Sequence, residues 1–349
     1  MANKRAVDLL VGHMDKSASK KRRAFEAVPE PSNALAKQAL TYLDVFGYFS
    51  EELDKWKDIT VGDIVDAVKV FQGMFGIDLS RDIDEITFER IRQALNERSV
   101  VFFRGQNLHP SRQVAFTRRL GELKDTPLLG AYSLPDYPDV MRVSNIIENG
   151  RHIGNPDAGV FWHSDGAYQQ RPAFYSLLYS IEVPAKDGRV YGNTCYAATA
   201  AAYDALPEAM KRRLAPLRAL HSLSHQYEQK LSKGALKREA MSAEEKKKVV
   251  PPVEHPLVRT HPLTGRKCLY LNEGHTFGIA GMTPAESAPL LQELFAWCVR
   301  PEFVYRHCWQ PGDFVIWDNV VTLHKATFDY DLPLRRLMHR TTVEGGVPV

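Results

Sequence analysis

The stretch SVVFFRG (99–105) is a mostly apolar run that ends in a glycine, as is typical of a buried β-strand. Other short runs share its composition, being rich in β-branched and aromatic residues and separated by turns. These runs are VMRVSNII (140–147), FYSLLYSIEV (174–183), KCLYLN (267–272), FVIWDN (314–319) and RLMHRTTVE (336–344). Many short strands with few helices favour a sandwich or barrel over a parallel α/β sheet. The sequence therefore predicts a mainly β fold with decorating helices, and a double-stranded β-helix, or jelly roll, is our first choice.

Helices are predicted where apolar residues recur at helical spacing between the strands. The predicted helices cover 84–98, 111–120, 204–215 and 284–300. Pro207 falls in the first turn of the third helix, where a missing N–H costs little, and Pro216 is expected to end it. The fourth helix opens with Pro284 in the same way.

The first 70 residues and one internal segment differ from this pattern. Apolar residues stand at helical spacing in 35–48 and 64–75, so we predict a helical N-terminal extension over 1–70 and a main domain over 71–349. The extension either covers the main domain or forms a subunit contact, which leaves a homo-oligomer open. The segment LKREAMSAEEKKKVVPP (236–252) is charged and ends in two prolines, so it is predicted to be an exposed insertion and a candidate lid.

Composition excludes several classes of protein. The 349 residues are 44% hydrophobic and 25% charged, as in soluble globular proteins, and the net charge of +3 gives no reason to expect a nucleic acid or an anionic membrane as partner. Four cysteines stand far apart at 195, 268, 298 and 308 without a CxxC pair, which favours a reducing compartment. No secretory leader and no run of about 18 apolar residues is present. The expected location is cytoplasmic.

The sharpest local motif is FWHSDGAY (161–168), in which His163 and Asp165 stand two positions apart. On an extended backbone such residues point to the same side, so both can reach one metal ion. The best third ligand is His324 in WDNVVTLHKAT (317–327), just beyond a predicted strand. Two imidazoles and one carboxylate leave open positions and suit Fe(II) that binds a bidentate co-substrate and then O2. An HxD triplet alone is equally consistent with a hydrogen-bonded His–Asp pair in a loop.

A pair of arginines near the C-terminus supports the metal-site interpretation. In the predicted strand within LRRLMHRTTVEGG (334–346), Arg336 and Arg340 share one face. Burying two guanidinium groups is costly unless anions pair with them. The planar fork of arginine suits bidentate binding of a carboxylate or a sulfonate. The pair is therefore expected to bind two anions, which a reaction that uses 2-oxoglutarate and an acidic substrate would supply.

Four motifs together resemble the TauD/TfdA family of 2-oxoglutarate-dependent dioxygenases, which includes taurine and phenoxyacetate dioxygenases. The resemblance runs from about residue 76 to the C-terminus, roughly three-quarters of the chain. Its motifs stand in the family's order and at similar spacings. They are WHSD (162–165), GNTCYAATAAAYDALP (192–207), WDNVVTLHKAT (317–327) and RRLMHR (335–340).

The resemblance implies roles for individual residues. It makes His163, Asp165 and His324 the iron ligands. It makes Thr194 a hydroxyl contact to 2-oxoglutarate and Arg336 the partner of the distal carboxylate of that co-substrate. It also implies that Arg340 contacts the acidic group of the substrate and that Asn145 contacts the co-substrate. Trp162 is a separate candidate for the wall of the substrate pocket, because it stands next to a proposed ligand, although a core tryptophan is equally consistent with the sequence.

The chain departs from the family in three places. Asn193 stands where many relatives have an acidic residue, and the loop after His324 is one residue longer than in the taurine enzymes. The segment LKDTPLLGAYS (123–133) lacks the histidine that those enzymes carry there. The resemblance therefore argues against taurine itself as the substrate.

These observations predict an Fe(II)- and 2-oxoglutarate-dependent dioxygenase that uses O2 to hydroxylate a small anionic molecule, a sulfonate, a carboxylate or a similar acid. The anionic ligand Asp165 occupies a position that iron halogenases leave open for halide, which favours hydroxylation over chlorination. Two alternatives stay open, an iron enzyme of the same fold that desaturates or rearranges its substrate, and a non-catalytic jelly roll that senses 2-oxoglutarate. An assembly role through the N-terminal helices is a third. The remaining conspicuous histidines, at 221, 225, 255, 261, 275 and 307, are expected to be hydrogen-bonded or surface residues.

Overall fold

The computed structural model describes residues 71–73, 77–125, 127–237 and 249–349, without the side chains of 71–73 and 127–129. The predicted N-terminal extension, 1–70, and most of the predicted insertion, 236–252, lie outside the described residues. The described residues therefore belong to the predicted main domain. Among them, no helix combines the length and the apolar character needed to cross a bilayer.

The described residues form six α-helices, four of them near predicted positions and two, over 199–204 and 223–232, that were not predicted. They are α1 (Glu85–Arg98), α2 (Pro110–Leu120), α3 (Thr199–Asp204), α4 (Glu208–Leu214), α5 (Leu223–Ser232) and α6 (Pro284–Cys298). Local chemistry sets several of their ends. The carboxylate of Asp84 accepts the Thr87 N–H and caps α1, and Thr283 and Glu286 form a reciprocal capping box at the start of α6.

Strands make up most of the remaining regular structure. The first ten are β1 (Phe71–Gly73), β2 (Val100–Phe103), β3 (Ser133–Leu134), β4 (Tyr137–Ser144), β5 (Ile147–Glu148), β6 (Arg151–His152), β7 (Ala173–Glu182), β8 (Ala185–Lys186), β9 (Arg189–Val190) and β10 (Thr194–Ala198). The others are β11 (Arg218–His221), β12 (Val253–Pro256), β13 (Val258–Thr260), β14 (Lys267–Leu269), β15 (Thr276–Ile279), β16 (Val304–His307), β17 (Phe314–Asp318), β18 (Thr322–Ala326) and β19 (Leu337–Glu344). The prediction of a mainly β fold with few helices is confirmed.

The largest sheet has seven strands in the order β1-β2-β17-β7-β19-β4-β3. Its neighbours pair antiparallel except β1 and β2, which are parallel. Three-stranded sheets follow in the orders β16-β10-β18 and β12-β11-β15, with three two-stranded pairs besides. Strands distant in sequence thus become neighbours, which brings residues from separate motifs close together.

The two faces of the largest sheet have different partners. Along β7, alternate residues Tyr175, Leu177 and Tyr179 pack on α1 and α2 in an apolar core. Ser176 and Leu178 point to the opposite face, where strands β10 and β18 supply the facing residues. A second core lies around α6. Its fully buried members include Leu214, Leu257, Leu269, Ile279 and Cys298.

Two predicted elements were wrong in part. Residues 71–73, at the end of a segment with helical spacing, form strand β1, because pairing of Phe71 with Val100 at the sheet edge outweighs local periodicity. The predicted helix 204–215 corresponds to α4, which begins at Glu208, four residues later than predicted, whereas Asp204 is the last residue of α3. Pro207 is the N-cap of α4, with φ −58° and ψ 144°, so the helix begins only after this proline and not before it.

Candidate active site

The three predicted metal ligands come together although His163 and His324 are 161 residues apart in the chain. His324 lies on β18, and His163 lies in the loop that runs beside it. The His163 N–H donates to the His324 carbonyl at 3.1 Å, and the His324 N–H donates to the His163 carbonyl at 2.8 Å. This antiparallel bridge sets the two imidazole centroids 4.1 Å apart, with Asp165 two residues farther along the loop.

The ligand atoms converge closely enough for a single ion. Asp165 Oδ1 lies 3.5 Å from His163 Nε2 and 3.9 Å from His324 Nε2. One candidate ligand atom from each residue lies within 4.8 Å of those of the other two, and all three residues are buried. Within the described ranges, no other group of three histidine, cysteine, aspartate or glutamate residues meets this geometry.

Hydrogen bonds show which ring nitrogen of His163 is left to face a metal ion. Its Nδ1 lies 2.9 Å from the Phe161 carbonyl and 3.0 Å from the His324 carbonyl. Carbonyl oxygens only accept, so Nδ1 carries a hydrogen, and Nε2 is the ring nitrogen left to bind a metal. Burial, together with the neighbouring His163, holds the pKa of His324 well below its usual value, so the His324 ring is neutral. Neutral imidazole is the form that binds metal.

The Asp165 carboxylate is ionised and held by its neighbours. Burial by itself raises the pKa of Asp165, but the charge of Arg340 and the contacts with the two histidines outweigh burial and hold the pKa well below its usual value. Ser176 Oγ donates to Asp165 Oδ2 at 2.6 Å, and Arg340 Nη1 donates to Oδ1 at 3.2 Å. Asn319 Nδ2 donates to Ser176 Oγ at 3.0 Å, while Asn319 Oδ1 accepts the Asp165 backbone N–H at 3.1 Å.

A small cavity adjoins the metal ligands between the largest sheet and the β16-β10-β18 sheet. The largest sheet contributes Val143, Leu178, Trp317 and Arg340, and the other sheet contributes Thr194, His324 and Ala326. The remaining lining residues are Ala158, Gly159, His163 and Arg336. Both arginines and Thr194 therefore lie at the same cavity as the metal ligands.

Arg336 is the more deeply buried of the two arginines, at 4% exposure, although it immediately precedes β19. Its Nε has no hydrogen-bond partner within the described part of the chain. Its backbone is fixed instead by Asn145, whose Oδ1 accepts the Arg336 N–H at 2.9 Å and whose Nδ2 donates to the Leu334 carbonyl at 2.9 Å. The amide of Asn145 is thus engaged with the chain around Arg336.

Thr194 and Trp162 lie in different surroundings. Thr194 is 4% exposed, and its Oγ1 accepts a hydrogen bond from Trp309 Nε1 at 3.0 Å. Trp162 packs against the core around α6 and is not among the cavity-lining residues. Asn193 is buried beside Thr194, and its carbonyl accepts the Thr327 N–H at 2.8 Å.

The remaining conspicuous histidines are hydrogen-bonded, as expected. His261 Nε2 lies 2.7 Å from Asp318 Oδ2, and His307 Nε2 lies 3.0 Å from Asp313 Oδ2. The others have partners as follows: His221 with Thr276, His225 with Gln229, His255 with the Gln169 carbonyl, and His275 with Asn272. The prediction that these residues are hydrogen-bonded or surface histidines is confirmed.

Sequence reasoning missed three residues that contact the site. Ser176 and Asn319 hold Asp165, and Trp309 holds Thr194. Asn319 could have been suspected because it lies in the motif WDNVVTLHKAT, and Ser176 because it is a polar residue inside an apolar strand. Trp309 carries no comparable sequence indication.

The donor set fits a divalent metal ion. Two imidazole nitrogens with free lone pairs and one carboxylate oxygen are the ligands of a facial triad, which leaves further coordination positions open. The buried, unpaired Nε of Arg336 fits an anion in the adjoining cavity. The arrangement can therefore hold an ion and an acidic molecule next to each other.

Comparison with known proteins agrees with this geometry. Residues 63–342 match the model of the family "Taurine catabolism dioxygenase TauD, TfdA family". The alpha-ketoglutarate-dependent 2,4-dichlorophenoxyacetate dioxygenase of Cupriavidus pinatubonensis is 35% identical over 284 residues, covering 77% of this chain and 93% of the relative. An alpha-ketoglutarate-dependent sulfate ester dioxygenase of Pseudomonas putida is 34% identical, covering 78% of this chain and 86% of the relative.

A solved structure supports the same assignment. The taurine dioxygenase of Burkholderia xenovorans superposes with a TM-score of 0.65 at 32% identity, covering 80% of this chain and 88% of that one. The family match covers well over half of this chain, and the relatives are matched over most of their own length. The chain therefore belongs to the TauD/TfdA family, and it is a 2-oxoglutarate-dependent dioxygenase.

Proposed function

We propose that this chain binds Fe(II) through His163, Asp165 and His324 and hydroxylates a small organic acid. In the proposed reaction, 2-oxoglutarate and O2 yield succinate and CO2, with one oxygen atom entering succinate and the other entering the substrate. The observation that carries the proposal is the convergence of the three ligand atoms within 4.8 Å, beside a cavity that Arg336 and Arg340 also line.

A ferrous ion bound there supplies the redox chemistry with O2 that no side chain provides. The protein contributes position and charge. Ser176 and Asn319 fix the orientation of the Asp165 carboxylate, which is the one anionic group among the three donors. Burial of all three ligand residues keeps bulk water away from the reacting atoms.

Arg336 and Thr194 are the proposed anchors for the distal carboxylate of 2-oxoglutarate. A guanidinium group that is 4% exposed needs an anion, and a planar fork pairs with a carboxylate through two hydrogen bonds. The Thr194 hydroxyl lies at the same cavity. Asn145 serves the co-substrate indirectly, because its amide fixes the backbone at Arg336.

Arg340 is the proposed contact for the acidic group of the substrate. It borders the cavity next to Asp165, and the neighbouring lining residues Val143, Leu178 and Trp317 are apolar or aromatic. The relatives are named for a phenoxyacetate, a sulfate ester and taurine, all of which carry an acidic group. We therefore propose an acid with an apolar body. The absence of a histidine from 123–133 argues against taurine.

Two further features belong to the same proposal. The facing sheets on either side of the cavity suggest a double-stranded β-helix. The four cysteines are all free, which supports a reducing, cytoplasmic location.

The direct test is release of succinate from 2-oxoglutarate under air with ferrous iron and a panel of organic acids. We expect at least one carboxylate, sulfonate or sulfate ester to increase succinate formation above the rate without substrate. The Asp165→Ala variant is expected to abolish the coupled reaction, because the carboxylate ligand is lost. Full activity of Asp165→Ala would remove this residue from the ligand set.

Michaelis constants for the substrate and for the co-substrate distinguish the proposed role of Arg340 from that of Arg336. Arg340→Gln is expected to raise the Michaelis constant for the acidic substrate about tenfold or more while changing that for the co-substrate little, because a hydrogen bond to a charged group contributes about 1.5–3 kcal/mol. The matched control is Arg335→Gln, since Arg335 is exposed and pairs with Glu182. A rise confined to the Michaelis constant for the co-substrate would mean that the two roles are interchanged.

The product identifies the reaction. Hydroxylation adds one oxygen to the substrate mass, whereas desaturation removes two hydrogens, so mass spectrometry of the substrate product separates these outcomes. Binding of 2-oxoglutarate without succinate formation across the whole panel would favour the sensing alternative instead.

A further inference from the structure

One acceptor position of the Thr194 hydroxyl is occupied by the protein. Trp309 Nε1 donates to Thr194 Oγ1 at 3.0 Å, and an indole nitrogen can only donate. Both side chains are buried, with Trp309 at 0% and Thr194 at 4% exposure. The indole therefore keeps the hydroxyl hydrogen of Thr194 from pointing toward Trp309.

The consequence is a hydroxyl that presents a donor to the cavity. A hydroxyl has one hydrogen, and while its oxygen accepts from Trp309 that hydrogen is directed away from the indole. Within the described residues, no protein acceptor takes the hydrogen, and Thr194 lines the cavity that also contains Arg336. The two cavity groups thus both offer hydrogens and one of them carries a positive charge, which suits a carboxylate better than a neutral acceptor and disfavours a cation.

Trp309 is itself held in a buried polar network. The ring of His307 packs edge-to-face on Trp309 with centroids 4.6 Å apart. His307 lies between Asp313, whose Oδ2 is 3.0 Å from His307 Nε2, and Tyr305, whose hydroxyl is 3.0 Å from His307 Nδ1. Arg104 completes the network through an ion pair with Asp313. An indole supported in this way is unable to rotate away from Thr194 without breaking several contacts.

We propose that Trp309 is a positioning residue that makes the enzyme selective for a 2-oxo acid with a distal carboxylate. It acts by orienting the Thr194 hydroxyl as a donor beside the guanidinium of Arg336. The inference rests on the proposed function, since it concerns the co-substrate that Thr194 and Arg336 bind there.

The test compares 2-oxoglutarate with 2-oxovalerate, a five-carbon 2-oxo acid that has a methyl group in place of the distal carboxylate. Binding to the Co(II)-loaded protein is measured by calorimetry without O2. The wild type is expected to bind 2-oxoglutarate far more tightly. Trp309→Phe is expected to weaken binding of 2-oxoglutarate about tenfold, the size of one hydrogen bond to a charged group, while weakening binding of 2-oxovalerate less than about twofold.

Two comparisons separate positioning from general damage. Trp297→Phe is the matched control, because Trp297 Nε1 donates to the Ala202 carbonyl at 2.8 Å, away from the cavity. Thr194→Val is expected to weaken 2-oxoglutarate binding, and adding Trp309→Phe to Thr194→Val is expected to weaken it no further. Such non-additivity is the sign of a residue that acts through its neighbour. Equal weakening of binding for both oxo acids, or full additivity, would overturn the inference.

A second measurement leaves Trp309 intact and is useful if Trp309→Phe fails to fold. The chain has five tryptophans, so a protein labelled with 15N-tryptophan gives five indole resonances at most. One of them is expected to shift in Thr194→Val and also when 2-oxoglutarate is added to the Zn(II)-loaded wild type. Absence of such a shared resonance would contradict the inference. If the wild type itself fails to prefer 2-oxoglutarate over 2-oxovalerate, the proposed function fails instead.

Discussion

Asp165 has a different neighbour at each of its polar groups. Ser176 donates to Oδ2, Arg340 donates to Oδ1, and the backbone N–H is bonded to Asn319. Because Oδ2 is taken by the serine, Oδ1 is the oxygen that faces the two histidine nitrogens. The carboxylate is therefore oriented to bind an ion through one oxygen, with Asn319 and Ser176 as its support.

Removing the serine hydroxyl tests this support. We expect Ser176→Ala to weaken binding of Co(II) by about 10- to 100-fold, the range seen when residues behind a metal ligand are lost. The measurement is a titration of the metal-free protein in competition with a chelator. Ser180→Ala is the matched control, because Ser180 is on the same strand and is equally buried but bonds to the 310–313 loop. Equal metal affinity in both variants would exclude Ser176 from the support.

At the residue scale, the sequence predicted those site residues whose side chain and spacing together form a recognisable motif. The HxD triplet, His324 and the two arginines could be selected because metals and anions need those side chains in those patterns. Ser176 and Trp309 could not, because a single serine or tryptophan has no distinctive spacing. Their importance depends on partners that only the fold brings near, 11 residues away for Ser176 and 115 residues away for Trp309.

At the scale of elements, the alternation of residues along strands and the ends of several helices were predictable from the sequence. Features that depend on pairing with a distant strand were not. β7 shows the period of two that its sequence implies, with one side in the core and the other at the cavity. The register shift between Leu337 and Met338 in β19 could not be foreseen, because a bulge depends on the partner strand. The same holds for β1, which forms only because β2 is available to pair.

The capping box of α6 gives a prediction about stability alone. Thr283 Oγ1 accepts the Glu286 N–H at 3.3 Å, and the Glu286 carboxylate accepts the Thr283 N–H at 2.7 Å. Thr283→Ala is expected to lower the free energy of unfolding by about 1 kcal/mol, as loss of a helix cap does, without changing succinate formation. Urea unfolding measures the change, and Thr283→Ser, which keeps the hydroxyl, is the control. Equal stability of the two variants would show that the cap does not contribute.

At the scale of the whole described domain, the site depends on two sheets facing each other. The candidate metal ligands and the two arginines come from β18, from β19 and the residue before it, and from the loop at 161–165, and the cavity closes only where these segments meet. The sequence predicted which residues would meet through the family resemblance, since spacing alone gives no distance between residues 163 and 324. The hydrogen-bonded bridge between these two residues is the structural reason for their proximity.

The buried histidines make the domain sensitive to acid. Burial, with a smaller effect of His255, lowers the pKa of His221 from 6.5 to about 3, and burial lowers the pKa of His255 to about 4. Between these values and about 6.5 the unfolded chain binds protons that the folded chain does not, so stability falls as pH decreases through this range. Each such histidine contributes up to about 1.4 kcal/mol per pH unit.

Urea unfolding between pH 7 and pH 5 checks this expectation. The wild type is expected to lose stability over this range, mainly below about pH 6.5. His221→Asn is expected to show a shallower decrease than the wild type, even if its stability at pH 7 is lower. An identical pH dependence in the two proteins would mean that His221 is not held neutral by the fold.

The proposed chemistry requires that His163, Asp165 and His324 form one metal site, and the affinity of His324→Ala for iron tests this most directly. The wild type, loaded with Fe(II) in the absence of O2, is expected to bind one iron per chain. The His324→Ala variant is expected to bind iron far more weakly, even though residue 324 is 161 residues away from His163 in the sequence. His261→Ala, which alters a buried histidine bonded to Asp318, is the control and should keep the iron site. Iron binding by His324→Ala as tight as that of the wild type would contradict a site shared by the three residues.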